Sequence, residues 1–361
     1  MRPIAFYLPQ YHETEENNKW WGKGFTEWNS VKNAKPYFKG HYQPKTPLDN
    51  NYYDLSESNA NTWKWQANLA REYGVYGFCI YHYWFKDCKK ILEKPAEILL
   101  NHKDIDTKYF FCWANEPWKR TWYSYNQELL IDQEYGTEKE WIKHYEYLSS
   151  FFKDERYIKI NNRPIIAIYR TAAIDELEKM KKIWNQLAIK DGFSGIHLMS
   201  GNTSFKRENR IDLIDSFYCF EPAFTLHYGI PKYLRLPSYI RRVLVSKINT
   251  VSDNKKIEDL QNLKTLYKYL SEKTFIDSKP EYPGICPSWD NTPRKKWKGT
   301  FFKKSSPLIF EKKLTDFNKT LEANDFLFIN AWNEWSEGAY LEPDEINKYS
   351  YLEAIKNALE K

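Results

Sequence analysis

The chain predicts an α/β fold, a (β/α)8 TIM barrel with long aromatic-rich βα loops, and three observations lead there. Short apolar runs rich in β-branched and aromatic residues alternate with longer stretches of helical period, as in repeated βα units. Eight such runs fall within the 361 residues, and eight strands each followed by a helix close into a parallel barrel rather than an open sheet. Polar and aromatic residues come directly after most of the runs, where a barrel gathers its strand ends on one face.

In chain order the strand candidates are Ile4–Leu8, Tyr76–Tyr81, Phe110–Ala114, Ile165–Tyr169, Ile196–Met199, Phe217–Phe220, Pro283–Cys286 and Phe326–Asn330. Ala60, Trp63, Ala67 and Ala70 mark one face of a helix that Gly74 can end in a left-handed cap. Trp141, Tyr145, Leu148 and Phe152 mark a second, and Leu177, Met180, Trp184 and Leu187 a third. Leu260–Tyr269, Phe310–Leu321 and Tyr351–Leu359 also read as helical, and the fifth and sixth units have the shortest helical pattern. Two connections are long: Gln10 to about Glu57, and Glu221 to about Asn254. The first is dense in Trp and Tyr, the opposite of a disordered composition, and is expected to lie ordered over the barrel mouth. No repeat or low-complexity linker divides the chain, so residues 1–361 are expected to form a single catalytic domain.

A hydrophobic fraction of 42% is enough for a large core, and no long uncharged apolar stretch suggests a membrane span. The N-terminus runs straight into strand-like sequence without a signal-peptide pattern, so a native start at Met1 implies a cytoplasmic protein. Five cysteines lack zinc-site spacing, and Cys79, Cys112, Cys219 and Cys286 lie in or beside strand runs as small buried hydrophobes. The net charge of +6 is spread along the chain, which argues against a nucleic-acid partner. Seven histidines show no metal-ligand spacing, and neither a dinucleotide fingerprint nor a phosphate loop is present, so no metal or cofactor is expected. Aromatic residues make up 18% of the chain, and Tyr and Trp suit sugar rings, with an apolar face and a polar rim.

The residues just beyond each strand narrow the chemistry. Pro9-Gln10-Tyr11-His12 come after the first, His82-Tyr83-Trp84 after the second, Asn115-Glu116-Pro117-Trp118 after the third and Arg170 after the fourth. Glu221 comes after the sixth, Ser288-Trp289-Asp290-Asn291 after the seventh, and Trp332-Asn333-Glu334-Trp335-Ser336-Glu337-Gly338 after the eighth. Glu334 and Glu337, three apart in a turn, fall on one side with Cβ atoms ~5–6 Å apart. Two carboxylates so placed suit glycoside cleavage, which needs one protonated acid and one carboxylate. The substrate-binding candidates are Tyr7, Gln10, Tyr11, Trp28, His82, Tyr83, Trp84, Trp113, Asn115, Glu116, Arg170, Glu221, Trp289, Asp290, Asn291, Trp332 and Asn333. Trp28, Trp84, Trp113, Trp289 and Trp332 are expected to place at least two rings in one cleft. Asp104-Ile105-Asp106 is like the acidic triplet of many glycosyltransferases, but it precedes the third strand and falls on the opposite barrel face.

These residues also carry a family resemblance. Phe6-Tyr7-Leu8-Pro9-Gln10-Tyr11-His12, Trp20-Trp21-Gly22-Lys23-Gly24-Phe25-Thr26-Glu27-Trp28, Gly77-Phe78-Cys79-Ile80-Tyr81-His82-Tyr83-Trp84, Cys112-Trp113-Ala114-Asn115-Glu116, Pro287-Ser288-Trp289-Asp290-Asn291-Thr292-Pro293-Arg294 and Asn330 through Pro343 resemble the WbsX-type proteins of bacterial polysaccharide loci. These are often labelled glycosyltransferases, and they are similar to glycoside hydrolase family 99, the endo-acting α-mannosidases. The likeness runs from Pro3 to about Leu359. It implies that Glu334 is the base for the sugar's own 2-hydroxyl and Glu337 the general acid, in a retaining route through a 1,2-anhydro sugar. Pro117 departs from the resemblance, which leads one to expect Asn there. The expected partner is an oligo- or polysaccharide. A sugar-nucleotide-dependent glycosyltransferase of lipopolysaccharide or capsule biosynthesis is the first alternative, and a non-catalytic glycan-binding barrel the second.

Overall fold

In the computed structural model, which describes residues 1–120 and 128–361, eight strands stand around one axis. They are Arg2–Tyr7, Gly77–Trp84, Lys108–Trp113, Arg163–Ile168, His197–Asn202, Ser216–Cys219, a seventh in two segments (Lys279–Tyr282 and Gly284–Ile285) and Phe326–Ile329. Each pairs in parallel with its neighbours in chain order, and the first pairs with the last, Arg2 beside Phe326 and Ala5 beside Ile329. The seventh completes the ring by changing partner at Pro283. Its first segment pairs with the sixth strand and its second with the eighth. The Pro283 carbonyl still accepts from Phe328 N at 3.0 Å, while its missing N–H marks the crossing.

Strands buried on both faces read as continuous apolar runs, which is why all eight are legible. Phe6, Tyr218 and Phe328 fill the interior, Tyr218 stacked on Phe328 at 4.9 Å and Phe6 5.5 Å from Tyr218. The helices Asn61–Glu72, Glu138–Phe152, Leu177–Lys190, Pro307–Thr320 and Ser350–Glu360 cover the outside where the periodicity placed them. Cys79, Cys112, Cys219 and Cys286 are buried free thiols.

Three elements differ from expectation. The fifth strand is followed by a single 3-10 turn, Ile211–Leu213, in place of a helix. Leu260–Tyr269 begins as a strand, Asp259–Asn262, which pairs with Thr300–Lys303, and only Leu263–Lys268 is helical, capped by the Asn262 side chain. The Glu221–Asn254 connection is mostly the 20-residue helix Lys232–Val251. The Gln10–Glu57 connection is ordered, with helices Glu15–Trp21 and Glu27–Lys32, and Trp28 packs 5.6 Å from Trp335 beyond the eighth strand. Asp104 and Asp106 lie before the third strand in exposed ion pairs with Lys64 and Arg71. Among the described residues, no helix is long and apolar enough to cross a membrane.

Ring closure depends on a glycine. A Cβ on Gly284 would collide with the Cys219 carbonyl of the sixth strand. Gly284→Ala should therefore lower stability by at least ~2 kcal/mol, within the range for overpacking against an immovable neighbour. Equilibrium urea unfolding measures this, and a loss below ~0.5 kcal/mol would contradict the close approach.

Candidate functional site

The eighth strand ends in a tight hairpin, Asn333–Glu334 against Ala339–Tyr340, joined by the 3-10 turn Trp335–Glu337. Gly338 closes it at φ 60°, where a Cβ would press on Asp290 and Lys45. The turn sets Glu334 and Glu337 on the same side. The Asn333 amide fixes the hairpin to the first strand, accepting from Leu8 N at 2.8 Å and donating to Leu8 O at 3.0 Å. Asp290 N donates to Glu337 O at 2.7 Å and ties the turn to the seventh strand's loop.

One guanidinium organises the carboxylates. Arg294 donates through Nη1 to Glu337 at 2.7 Å, through Nη2 to Glu334 at 3.1 Å and through Nε to Glu27 at 2.8 Å. Bonding both terminal nitrogens of one planar fork keeps the Glu334 and Glu337 oxygens within ~8 Å of each other, inside the ~9.5 Å upper limit for paired glycosidase carboxylates. Glu27 comes from the long first loop, so that loop supplies a charge beneath the site. Burial pushes the Glu334 carboxyl up to about 8; Arg294 opposes the rise, and the charges of Glu337 and Glu27 add to it. Burial thus favours the protonated form of Glu334. Arg294 is itself held charged, burial being outweighed by its three carboxylates.

Above this pair opens a cleft of about 530 Å³ at the C-terminal strand ends. Gln10, Tyr83, Glu116, Trp289, Glu334 and Glu337, all expected from the sequence, line it. Arg170 reaches its edge through Glu116, at 3.3 Å. Burial raises the Glu116 carboxyl, and Arg170 opposes the rise. Trp21, Trp118, Tyr81, Tyr169, Asn17 and Arg294 also line the cleft and were not among the expected site residues. Asn17 is fully buried, yet among the described residues neither polar atom of its amide has a partner. Concavities of about 350 Å³ on the underside and about 740 Å³ beside Trp65 contain no buried carboxylate.

The other expected contacts lie inside the protein, where they hold the cleft walls. Tyr7 donates to Gln66 at 2.7 Å and stacks on Trp63, and Tyr11 donates to the Asn333 carbonyl. His82 pairs with His144 at 2.9 Å, and burial lowers its pKa to about 3, so the ring is neutral. Trp84 stacks on His144 at 4.3 Å, and Trp113 donates to Trp84 O. Asn115 bonds both backbone polar groups of Arg170. Glu221 accepts from Thr225, and burial pushes its carboxyl up to about 7. Asp290 accepts from His41 and Gln43, and Asn291 from Thr300 N. Trp28 donates to Tyr53 O, and Trp332 to Glu342. The tryptophan expectation is thus corrected: of the five, only Trp289 faces the cleft, since an indole whose N–H finds an internal acceptor can be buried at a strand end.

Glu342 was not anticipated. Its buried carboxylate accepts from Trp332, Trp335, Gln66 and Tyr53 at 2.7–3.0 Å and anchors the segment after the hairpin. Among the described residues no group of three His, Cys, Asp or Glu is placed to hold a metal ion.

Comparison with known proteins gives a family and a fold. The profile of the family described as Glycosyltransferase WbsX matches residues 3–355, and the chain belongs to that family. Protein WxcX of Xanthomonas campestris pv. campestris, in two strains, is 33% identical over 99% of this chain. The match covers 49% of WxcX, so the chain spans about half the length of the curated relatives it matches. Among solved structures it is similar in fold to the GH99 endo-alpha-mannosidase from Bacteroides thetaiotaomicron. That match has a TM-score of 0.57 at 12% identity and covers 99% of this chain and 96% of that one. A glycoside hydrolase-like protein matches with a TM-score of 0.58 at 12% identity, over 99% and 93% of the two chains.

The Arg294 arrangement makes its own prediction. Arg294→Met leaves three carboxylates facing one another without a counter-charge, so stability should fall by ~3–5 kcal/mol at pH 8, as when one partner of a buried ion pair is removed. Lowering the pH protonates the carboxyls and should recover part of the loss. Unfolding at pH 5 and pH 8 tests this, and a pH-independent loss would contradict it.

Proposed function

From membership of the WbsX family and the geometry of the cleft, we propose that this chain is a carbohydrate-active enzyme, a retaining glycoside hydrolase or transglycosidase acting on an α-mannoside-like linkage of a bacterial polysaccharide or its precursor. The observation that carries this reading is the Glu334–Glu337 pair held on one guanidinium, at the floor of a cleft walled by Trp21, Tyr83, Trp118, Tyr169 and Trp289. Aromatic faces bind the C–H faces of sugars, and Gln10, Asn17 and Glu116 offer hydrogen bonds to hydroxyls.

In this reading the pair carries out a neighbouring-group reaction. Glu334 removes the proton of the sugar's 2-hydroxyl, O2 attacks C1, and the bond from C1 to the departing oxygen breaks as Glu337 protonates that oxygen. Water then adds at C1, giving its proton to Glu337 while Glu334 returns one to O2; an acceptor hydroxyl in place of water gives transfer. Closing the 1,2-anhydro ring requires the 2-hydroxyl trans to the leaving group, as in an α-mannoside. A sugar hydroxyl is a weak acid and needs a strong base. The high proton affinity that burial gives Glu334 supplies one when its carboxyl is ionised. The family's description favours a second reading, a glycosyltransferase using a sugar nucleotide. Incubation with a glycan panel, with and without sugar nucleotides, separates the two, and activity only with the nucleotide would replace the first reading by the second.

Glu337→Gln should lower turnover of substrates with poor leaving groups by ~10²–10⁴ and that of activated aryl glycosides by less. Glu334→Gln should slow both alike, and 2-deoxy or 2-O-methyl substrates should be inert with the wild type. Normal hydrolysis of a 2-deoxy substrate would rule out the neighbouring-group route. The pH profile of kcat/KM gives a separate test. As the base, Glu334 must be ionised, and its carboxyl gives up its proton as pH rises through about 8, so activity should climb from the acid side toward that pH. A rate that is already flat between pH 5 and pH 7 would contradict the assignment.

A further inference from the structure

The helix Lys232–Val251 is turned inside out. Its one buried residue is polar, Asn249, whose amide donates to Lys256 O at 2.8 Å and accepts from Lys256 N at 2.9 Å. Arg235 donates to His227 O at 2.9 Å, Arg241 to Glu258 O at 2.6 Å, and Arg242 pairs with Asp259 at 3.5 Å. The polar side thus packs on the protein. Tyr233, Leu236, Ile240, Leu244, Ile248 and Val251 recur every three or four residues on the opposite side, 45–88% exposed. An apolar stripe of this length facing outward marks a surface built to be covered.

The helix's charge indicates what covers it. Lys232, Arg235, Arg241, Arg242 and Lys247 are its charged residues, and it contains no Asp or Glu. Lys232 and Lys247 are exposed beside the stripe, while Asp253 past the helix end is the nearest acid in sequence. A second copy would set the same cations against themselves in a two-fold contact, with no acid on either helix to offset them. A surface with an apolar interior and negative headgroups matches both features, and Tyr233 and Tyr239 suit its boundary.

We propose that the helix Lys232–Val251 is a membrane-surface anchor that lies flat on an anionic lipid bilayer, its apolar stripe among the acyl chains and its lysines at the headgroups. It follows the sixth strand in the chain, shortly after Phe220 and Ala223 of the cleft wall. Such an anchor requires nothing of the reaction assigned to the cleft.

Co-sedimentation of the purified chain with phosphatidylcholine vesicles, with and without phosphatidylglycerol, tests it. The wild type should partition onto the anionic vesicles, less so at high salt, and only weakly onto phosphatidylcholine alone. The double variant Ile240→Asp, Leu244→Asp should lose at least ~tenfold in partitioning. Both side chains are exposed, so its circular dichroism and melting should match the wild type. Lys232→Glu with Lys247→Glu should weaken binding to anionic vesicles specifically. Absence of wild-type binding to anionic vesicles, or equal binding by the Asp variant, would overturn the proposal. So would a dimer in sedimentation velocity that Leu244→Asp dissociates in a chain that ignores vesicles, which would assign the stripe to a second copy.

Discussion

The guanidinium of Arg294 is the constraint on which the site depends. Three carboxylates converge where water is largely excluded, with side-chain exposures of 0%, 7% and 22% for Glu27, Glu334 and Glu337. Without a cation their mutual repulsion and desolvation would force them apart or neutral. One planar fork with fixed donor directions holds each at hydrogen-bond distance, which a lysine, as a point charge, would not reproduce. Burial, helped by the charges of Glu337 and Glu27, raises the Glu334 carboxyl to about 8 even though Arg294 opposes the rise.

The network around Arg294 has the rigidity such a cluster requires. The hairpin carrying the pair is held from three sides: Asn333 on the first strand, Asp290 on the seventh strand's loop, and Glu342 beneath the indoles of Trp332 and Trp335. Asp290 is in turn fixed by His41 and Gln43 from the long first loop, which also supplies Glu27. That loop is therefore part of the site's foundation as well as its cover. A change in its packing would reach the carboxylates through Glu27 and Arg294.

The sequence made the barrel legible because its strands are buried on both sides and read as apolar runs, and because turn chemistry comes after each. The fifth unit lacks its helix, in keeping with its short periodic pattern. Lys232–Val251 read as connection because Pro237 and scattered arginines obscure its period and its apolar face points away from the core. At the site, Glu334 and Glu337 stood out as a closely spaced pair after a strand. Arg294 did not, since an arginine beside Lys295 and Lys296 looks like a solvated run until Glu27, far away in sequence, is seen against it. The tryptophans show the same limit. Sequence puts Trp113 and Trp332 at strand ends but does not say on which side of the strand each ring falls, while Trp21 and Trp118 reach the cleft from loops.

If burial keeps a proton on Glu334 near neutral pH against the pull of Arg294, that proton is visible without a substrate. Carbon-13 NMR of protein labelled at the glutamate carboxyl carbons, titrated from pH 5 to pH 10, reads it directly. One carboxyl should titrate near 8, vanish in Glu334→Gln and move higher in Arg294→Met, since the guanidinium opposes the rise. A wild-type spectrum in which every glutamate is already ionised at pH 6 would contradict it.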